Sequence, residues 1–322
     1  MPWVVGIDEA GYGPNLGPLV QAAVTLHLPD DDPAGWDALK AVVRRSHEPA
    51  DDRLLIDDSK KVYTVGGVAA LERTVLPVLA CEPTLLGTFL ENPRFADQLA
   101  DLKAEVWFDP AFRLPVHMPD DEIREAAGRW AGGAYGPMQA SPWGGASWIT
   151  PAPRFNRLAD AGGSKGAVLA HGLLALMPPQ RYAGHVAGKW LTEDPVHILC
   201  DKLGGRNFYA AIVQQAFPDG WVVVEKEGAA ESRYRVEGLD RPVTVSFRPR
   251  ADGDSVAVAL ASMLAKYLRE VCMLQFNRFW EKHVPGLAPT AGYPNDAKRY
   301  YDAIRPAMDK LGLAPDQVWR KR

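Results

Sequence analysis

The sequence is poor in cysteine and lacks any long apolar run. Its three cysteines, Cys81, Cys200 and Cys272, lie far apart with no paired spacing, which argues against a disulfide framework or a zinc knuckle and fits a reducing compartment. No segment supplies the ~18 apolar residues that a membrane span needs. The N-terminus reaches acids by position 8 with no basic region followed by an apolar stretch, so no targeting segment is read there. These absences predict a soluble, cytoplasmic protein with no membrane partner. Positive charge is not in excess either: 36 Lys and Arg against 40 Asp and Glu leave a formal net charge of −4. Any nucleic-acid contact must therefore be local. A Walker phosphate loop, a His-Glu-x-x-His helix and a Gly-x-Ser-x-Gly elbow are all missing, and the seven histidines show no ligand spacing. His171 and His197 stand in apolar surroundings, as hydrogen-bonded core residues do.

What is present is ample core material, since 47% of the 322 residues are hydrophobic. Trp3 to Ile7 and Leu19 to Leu28 are strand-like runs joined by the Gly- and Pro-rich "GYGPNLGP". Residues 36 to 45 and 66 to 80 read as helices, with "LLIDDSKKV" as a loop entering the second. From 91 to 153 the periodicity breaks down and prolines recur, so this stretch reads as an insertion within a single domain covering 1–322. Its Trp130, Tyr135, Trp143 and Trp148 are read as packing a flap onto the body rather than as a base-stacking platform. Order returns with a helix over 164–177, the strand "VHILCD" (196–201), the strand "WVVVEK" and a hairpin turning near Asp240. A long helix is predicted from about Ser255, and a late one capped by Asn295 or Asp296. Strands alternating with helices predict an α/β fold.

Acids close elements at three places: the pair Asp8 and Glu9, Asp201, and Glu270 on the long helix. Each alone has an ordinary explanation, as a turn residue, a loop cap or a solvated partner of Lys266. Gathered together, carboxylates repel, and either take up protons or bind hard divalent cations such as magnesium or manganese. Two such ions ~4 Å apart activate a water on one side of a phosphate and stabilise the leaving oxygen on the other.

The motifs resemble, in type and in order, those of type 2 ribonucleases H, and the chain is read as a divergent, ribonuclease HII-like member. "GIDEAGYGP" resembles the family's opening strand with its Asp-Glu-Ala-Gly-Arg-Gly core, "DDSKKV" (57–62) its Asp-Ser-Lys-Lys-Leu stretch, and "ILCD" its third-acid strand. "ASMLAKYLRE" (261–270) is similar to its Ala-Ser-Ile-x-Ala-Lys helix, and "GYPND" (292–296) to a segment of its archaeal and eukaryotic branch. The resemblance covers roughly 3–62 and 164–305 and leaves the insertion unexplained. It implies a ribonuclease H-like fold, a mixed central sheet flanked by helices. It implies a two-metal endonuclease, with two Mg2+ or Mn2+ ions per site held by Asp8, Glu9, Asp201 and Glu270, that cuts the RNA strand of RNA/DNA hybrids or ribonucleotide-containing DNA. Substrate contacts would come from Gly11, Tyr12, Gly13, Ser59, Lys60, Lys61, Ser262 and Lys266, with Tyr293 or Trp319 as candidate stacking residues. Protein partners are left open. Two departures stand out: Glu270 replaces an aspartate, and Tyr12 replaces the arginine of the Gly-Arg-Gly turn, removing a forked phosphate contact. Weak junction specificity at single ribonucleotides is expected from the second. The rival readings are a structure-specific DNA nuclease of the same fold and a non-catalytic nucleic-acid binder.

Overall fold

The computed structural model describes residues 1–46, 48, 51–79, 82–91, 96–135, 144–178 and 194–321. The strands are β1 (Trp3–Ala10), β2 (Leu19–His27), β3 (Val43–Arg44), β4 (Leu54–Leu55), β5 (Thr84–Leu85), β6 (Arg113–Leu114), β7 (Gly144–Thr150), β8 (Val196–Asp201), β9 (Trp221–Lys226), β10 (Ser232–Glu237) and β11 (Val243–Arg248). The helices are α1 (Ser59–Val78), α2 (Leu86–Leu90), α3 (Ala96–Lys103), α4 (Asp120–Tyr135), α5 (Ala152–Ala161), α6 (Lys165–Leu176), α7 (Ala210–Ala216), α8 (Val256–His283) and α9 (Pro294–Leu311).

A seven-stranded mixed sheet runs β7-β2-β1-β8-β11-β10-β9. β1 is antiparallel to β2 but parallel to β8, and β8 is parallel to β11. β1 and β2 are buried along most of their length because helices cover both their faces, whereas β8 and β11 alternate buried and half-buried positions. On one face α1, α4, α8 and α9 bury Leu71, Trp130, Leu260, Met263, Trp280 and Ile304, and on the other α5, α6 and α7 bury Phe155, Leu169, Leu173 and Ile212. This is the α/β architecture expected, a mixed central sheet flanked by helices. The outer hairpin instead alternates: β10 buries Ser232, Tyr234 and Val236 and turns Arg233, Arg235 and Glu237 outward.

α8 is the spine of one layer, 28 residues long and buried on most of its surface. It reaches the sheet closely because β1 carries Gly6, where a Cβ would collide with the backbone of Ala257 and Val258. α9 is amphipathic, burying Ala297, Tyr300, Ile304, Ala307 and Met308, and ends at Gly312 in the left-handed conformation.

Local structure departs from the sequence reading in four places. Residues 36–45 form turns rather than a helix, because Asp32 draws the N–H groups of Gly35 and Ala38 onto its carboxylate and β3 pairs with β4. α1 begins at Ser59, not near 66: the Asp58 carboxylate accepts the N–H of Lys60 and Lys61 as N-cap, and the Gly66–Gly67 kink lies inside the helix. The cap position of α9 is Tyr293, while Asp296 sits in the first turn paired to Arg299. Finally, the 91–153 stretch is organised into α3, β6 and α4, and its last part, β7, pairs with β2 in the main sheet. Trp130 and Trp148 are buried, as the packed-flap reading requires; Trp143, Cys81 and the side chain of Tyr135 lie outside the described residues.

Buried Glu72 on α1 ties this stretch to the core. Its carboxylate accepts the N–H groups of Val116, His117 and Met118 and the hydroxyl of Tyr267 on α8.

Candidate active site

Because β1, β8 and β11 are parallel neighbours, their carboxyl ends share one edge of the sheet, the place where open α/β sheets build sites. β1 brings Asp8 and Glu9 there, and β8 ends in Asp201, which lies opposite Arg248 of β11. Four residues beyond Arg248, the 3-10 turn at 251–253 adds Asp252. That turn donates the Ala251 N–H to Asp201 Oδ1 at 3.3 Å.

These acids act on one another. Asp8 is pushed well above the usual carboxylate range by burial, then by the charges of Glu9 and Asp201; hydrogen bonds from Ser262 and the Glu9 N–H oppose the rise. Burial and Asp201 push Glu9 up to about 7, against Lys60. Asp201 is raised by burial, opposed by the N–H groups of Ala251, Lys202 and Arg250 and by Lys60. Asp252 is raised by burial, then by Asp58 and Asp201. Lys60 thus stands where its charge reaches two of the acids.

Glu270 has partners of its own. Its carboxylate accepts Lys266 Nζ at 2.7 Å, Arg269 Nη1 at 3.3 Å and the Tyr63 hydroxyl at 3.2 Å. The carboxylates of Glu9 and Asp201 act on Asp8, that of Asp201 acts on Glu9, and those of Asp58 and Asp201 act on Asp252, which lies beyond β11. Glu270 lies about two turns of α8 beyond Ser262, the residue that bonds Asp8, and two cations neutralise it. Lys266 goes with it, lying 4.3 Å from the Tyr63 ring centroid. Lys61 pairs with Asp57 at 3.2 Å and faces solvent.

Of the remaining expected residues, Ser262 bonds Asp8 and Tyr12 feels the charge of Glu9. Ser59 and Ser262 hydroxyls are 3.0 Å apart, joining α1 to α8 beside Asp8. Gly11 has φ of +88°, and a Cβ there would strike the Arg269 side chain. Its carbonyl accepts Arg320 Nη2 at 2.7 Å. Gly13 faces the ring of Tyr293, which is 43% exposed and free to stack, whereas Trp319 packs against Tyr301. The hydroxyl of Tyr12 is raised by burial and by Glu9, with Arg206 opposing. Lys165 Nζ sits 4.9 Å from the Tyr12 ring centroid. Positive charge missing from position 12 is therefore supplied in space by Lys165 and Arg206. His197 bonds Thr244 at 2.6 Å and His171 packs on Trp148, both held below the usual imidazole range chiefly by burial.

Sequence reasoning missed Asp252, Lys165, Arg206, Arg269 and Arg320. For Asp252 a signal existed: "RADGDS" places acids just beyond a strand and just before the long helix, the position Asp201 has after β8.

Among the described residues no three His, Cys, Asp or Glu side chains are gathered closely enough to hold a metal ion as they stand. The donor set nonetheless suits a hard divalent cation: it is all carboxylate oxygen, and it is held toward the neutral form first by burial and, for Asp8, Glu9 and Asp252, by neighbouring carboxylates whose repulsion a cation would relieve.

The fold and site define an α/β chain with an acidic centre at the carboxyl edge of its parallel strands. No family model matches the chain. It is similar to ribonuclease HII from Syntrophotalea carbinolica, 32% identical over 128 residues, which are 39% of this chain and 56% of that protein; the match thus spans about half the relative's length. It also aligns with the PCNA:RNase HII complex from Archaeoglobus fulgidus (14% identity, 99% of this chain and 94% of that chain, TM-score 0.41) and with Aquifex aeolicus RNase H3 (13% identity, 98% and 71%, TM-score 0.44). Alignments this loose carry no weight beside the motif order and the sequence relative. Over those 128 residues the chain is similar to a ribonuclease HII.

Proposed function

We propose that the chain is a metal-dependent endonuclease of ribonuclease H type that hydrolyses the RNA strand of an RNA/DNA hybrid. What supports the reading is that Asp8, Glu9 and Asp201 stand at the carboxyl ends of β1 and β8, with Asp252 in the turn beside Asp201, in a chain whose motif order and sequence relative both point to ribonuclease HII. These four carboxylates would hold magnesium or manganese, with Asp252 in the role first expected of Glu270. Such ions, when bound, supply an activated water and stabilise the leaving oxygen.

The protein's own groups do the rest. Ser262 and the Glu9 N–H orient the Asp8 carboxyl, and Ala251 orients Asp201. Lys60 offers a point charge for a phosphate flanking the reacting one. Gly11 and Gly13 let backbone approach a ribose, whose 2′-hydroxyl distinguishes RNA from DNA, and exposed Tyr293 offers a stacking face.

The test is cleavage of a uniform hybrid, a DNA duplex and a duplex with one embedded ribonucleotide, each with magnesium or manganese. Cutting of the hybrid that Asp8→Asn abolishes is expected. Equal cutting of plain DNA would favour the structure-specific DNA nuclease, a reading kept open by Tyr12 in the ribose-facing turn. Binding without any cutting would favour the non-catalytic relative.

A further inference from the structure

A second charged feature lies beside the acids. Lys40, Arg44, Arg45 and Arg53, with Trp36, Val43 and Ser46, line one open cleft of about 370 Å3, and the Ser46 hydroxyl donates to the Glu48 carboxylate at 3.2 Å. Its arginines are oriented by hydrogen bonds. Arg44 donates through Nε to the Arg53 carbonyl at 2.9 Å and through Nη1 to the carbonyls of Ser46 and Glu48 at 3.1 and 2.9 Å. Carbonyls orient a guanidinium without cancelling its charge. The Arg45 guanidinium stacks 4.2 Å from the Trp36 ring centroid, and its Nη2 donates to the Gly253 carbonyl at 3.2 Å. Arg53 is offset by the forked pair it makes with Asp51, at 2.6 Å for the shorter arm. Lys40 is exposed, and no described carboxylate lies within ion-pair distance of it, Arg44 or Arg45.

Position gives the cleft its meaning. Gly253, which Arg45 holds, directly follows Asp252, so the cleft opens next to the acid centre on the β11 side. Tyr12 and Lys165 flank the same centre from β1 and α6. A molecule of net charge −4 thus keeps fixed positive groups on either side of its acids. Pre-oriented guanidinium groups match phosphate geometry and lose little entropy in binding it.

We propose that the cleft of Lys40, Arg44 and Arg45 binds backbone phosphates of the nucleic acid engaged at the acids, a few nucleotides from the reacting bond. This inference rests on the function proposed above and adds the direction in which the bound strand runs, from the β1 side across Asp201 and over Asp252 to Arg45.

The experiment measures binding of fluorescent hybrids by anisotropy over a series of potassium chloride concentrations, with Asp8→Asn as the uncutting parent. Lys40→Glu and Arg45→Lys are added singly. For a hybrid of about 20 base pairs, Lys40→Glu should weaken binding about tenfold at low salt and lower the log–log salt slope by about one. Arg45→Lys, which keeps the charge but loses the fork, should weaken it less and keep the slope. A hybrid of about 8 base pairs, too short to reach from the acids into the cleft, should bind parent and variants alike. Unchanged affinity and slope for the long hybrid in Lys40→Glu would overturn the proposal, as would equal weakening on both lengths. If the parent binds neither hybrid, the proposed function itself fails, and this inference with it.

Discussion

Asp252 and Glu270 make opposite demands on stability, and this separates their roles. Asp252 is pressed by Asp58 and Asp201 with no cation paired to it, so Asp252→Asn removes repulsion and should raise the metal-free melting temperature by a few degrees. Glu270 neutralises Lys266 and the buried Arg269, so Glu270→Gln leaves a buried guanidinium short of its carboxylate and should lower stability by roughly 3 kcal/mol. Calorimetric melting of both variants without metal checks the signs; a stabilised Glu270→Gln would contradict the assignment. Glu105 carries a pH dependence away from the site. Burial pushes it from 4.5 up to about 7, although Trp107 Nε1 donates to it at 2.9 Å. Its folded form therefore holds a proton that the unfolded form loses, so stability falls as pH rises from about 4.5 to 7, by up to roughly 3 kcal/mol. Glu105→Gln should remove that decline. The melting difference between variant and parent should widen across this window and level off above it; parallel curves would show another group responsible.

Strand-end acids were legible in the sequence wherever the strand itself was. "VVGIDEA" and "VHILCD" are apolar runs that stop at carboxylates, so Asp8, Glu9 and Asp201 could be named without coordinates. Asp252 was hidden because it stands four residues past its strand in a turn, while Glu270 occupies a helix motif that looks functional. Helical patterns misled in the same way over 36–45, where Asp32 captures backbone N–H groups that a helix would need. The role of Glu72 was invisible, since a lone acid in "ALERTV" says nothing of the three N–H groups it meets from β6 onward. Gly6 is a clear case of an element fixed by absence of a side chain. Because its Cβ would overlap the backbone at the start of α8, Gly6→Ala should force β1 and α8 apart and destabilise by about 3 kcal/mol or more. Urea unfolding would measure it; a loss under about 1 kcal/mol would mean that the two elements separate easily.

The C-terminal segment closes onto the turn that follows β1. Arg320, fully buried, donates to the carbonyls of Gly11 and Pro14, and its N–H donates to nothing nearer than the neighbouring turn: the Arg320 amide pairs with the Asn15 carbonyl at 2.8 Å. Burial, then Arg269, pulls its guanidinium down to about 9. The turn that follows Asp8 and Glu9 is thus shaped by residues some three hundred positions away, which no local reading of "GYGP" could reveal. Arg320→Ala should leave two carbonyls unpartnered, lower stability by roughly 2 kcal/mol and weaken hybrid binding more than metal binding. Equal affinity for hybrid in the variant would show the turn to be self-supporting.

The account stands on which carboxylates share the cation, and manganese titration by calorimetry reads this directly. The unaltered protein and Glu270→Gln should both take up manganese, whereas Asp201→Asn and Asp252→Asn should bind it at least tenfold more weakly. Uptake that survives Asp252→Asn and disappears with Glu270→Gln, or no uptake by the unaltered protein, would contradict it.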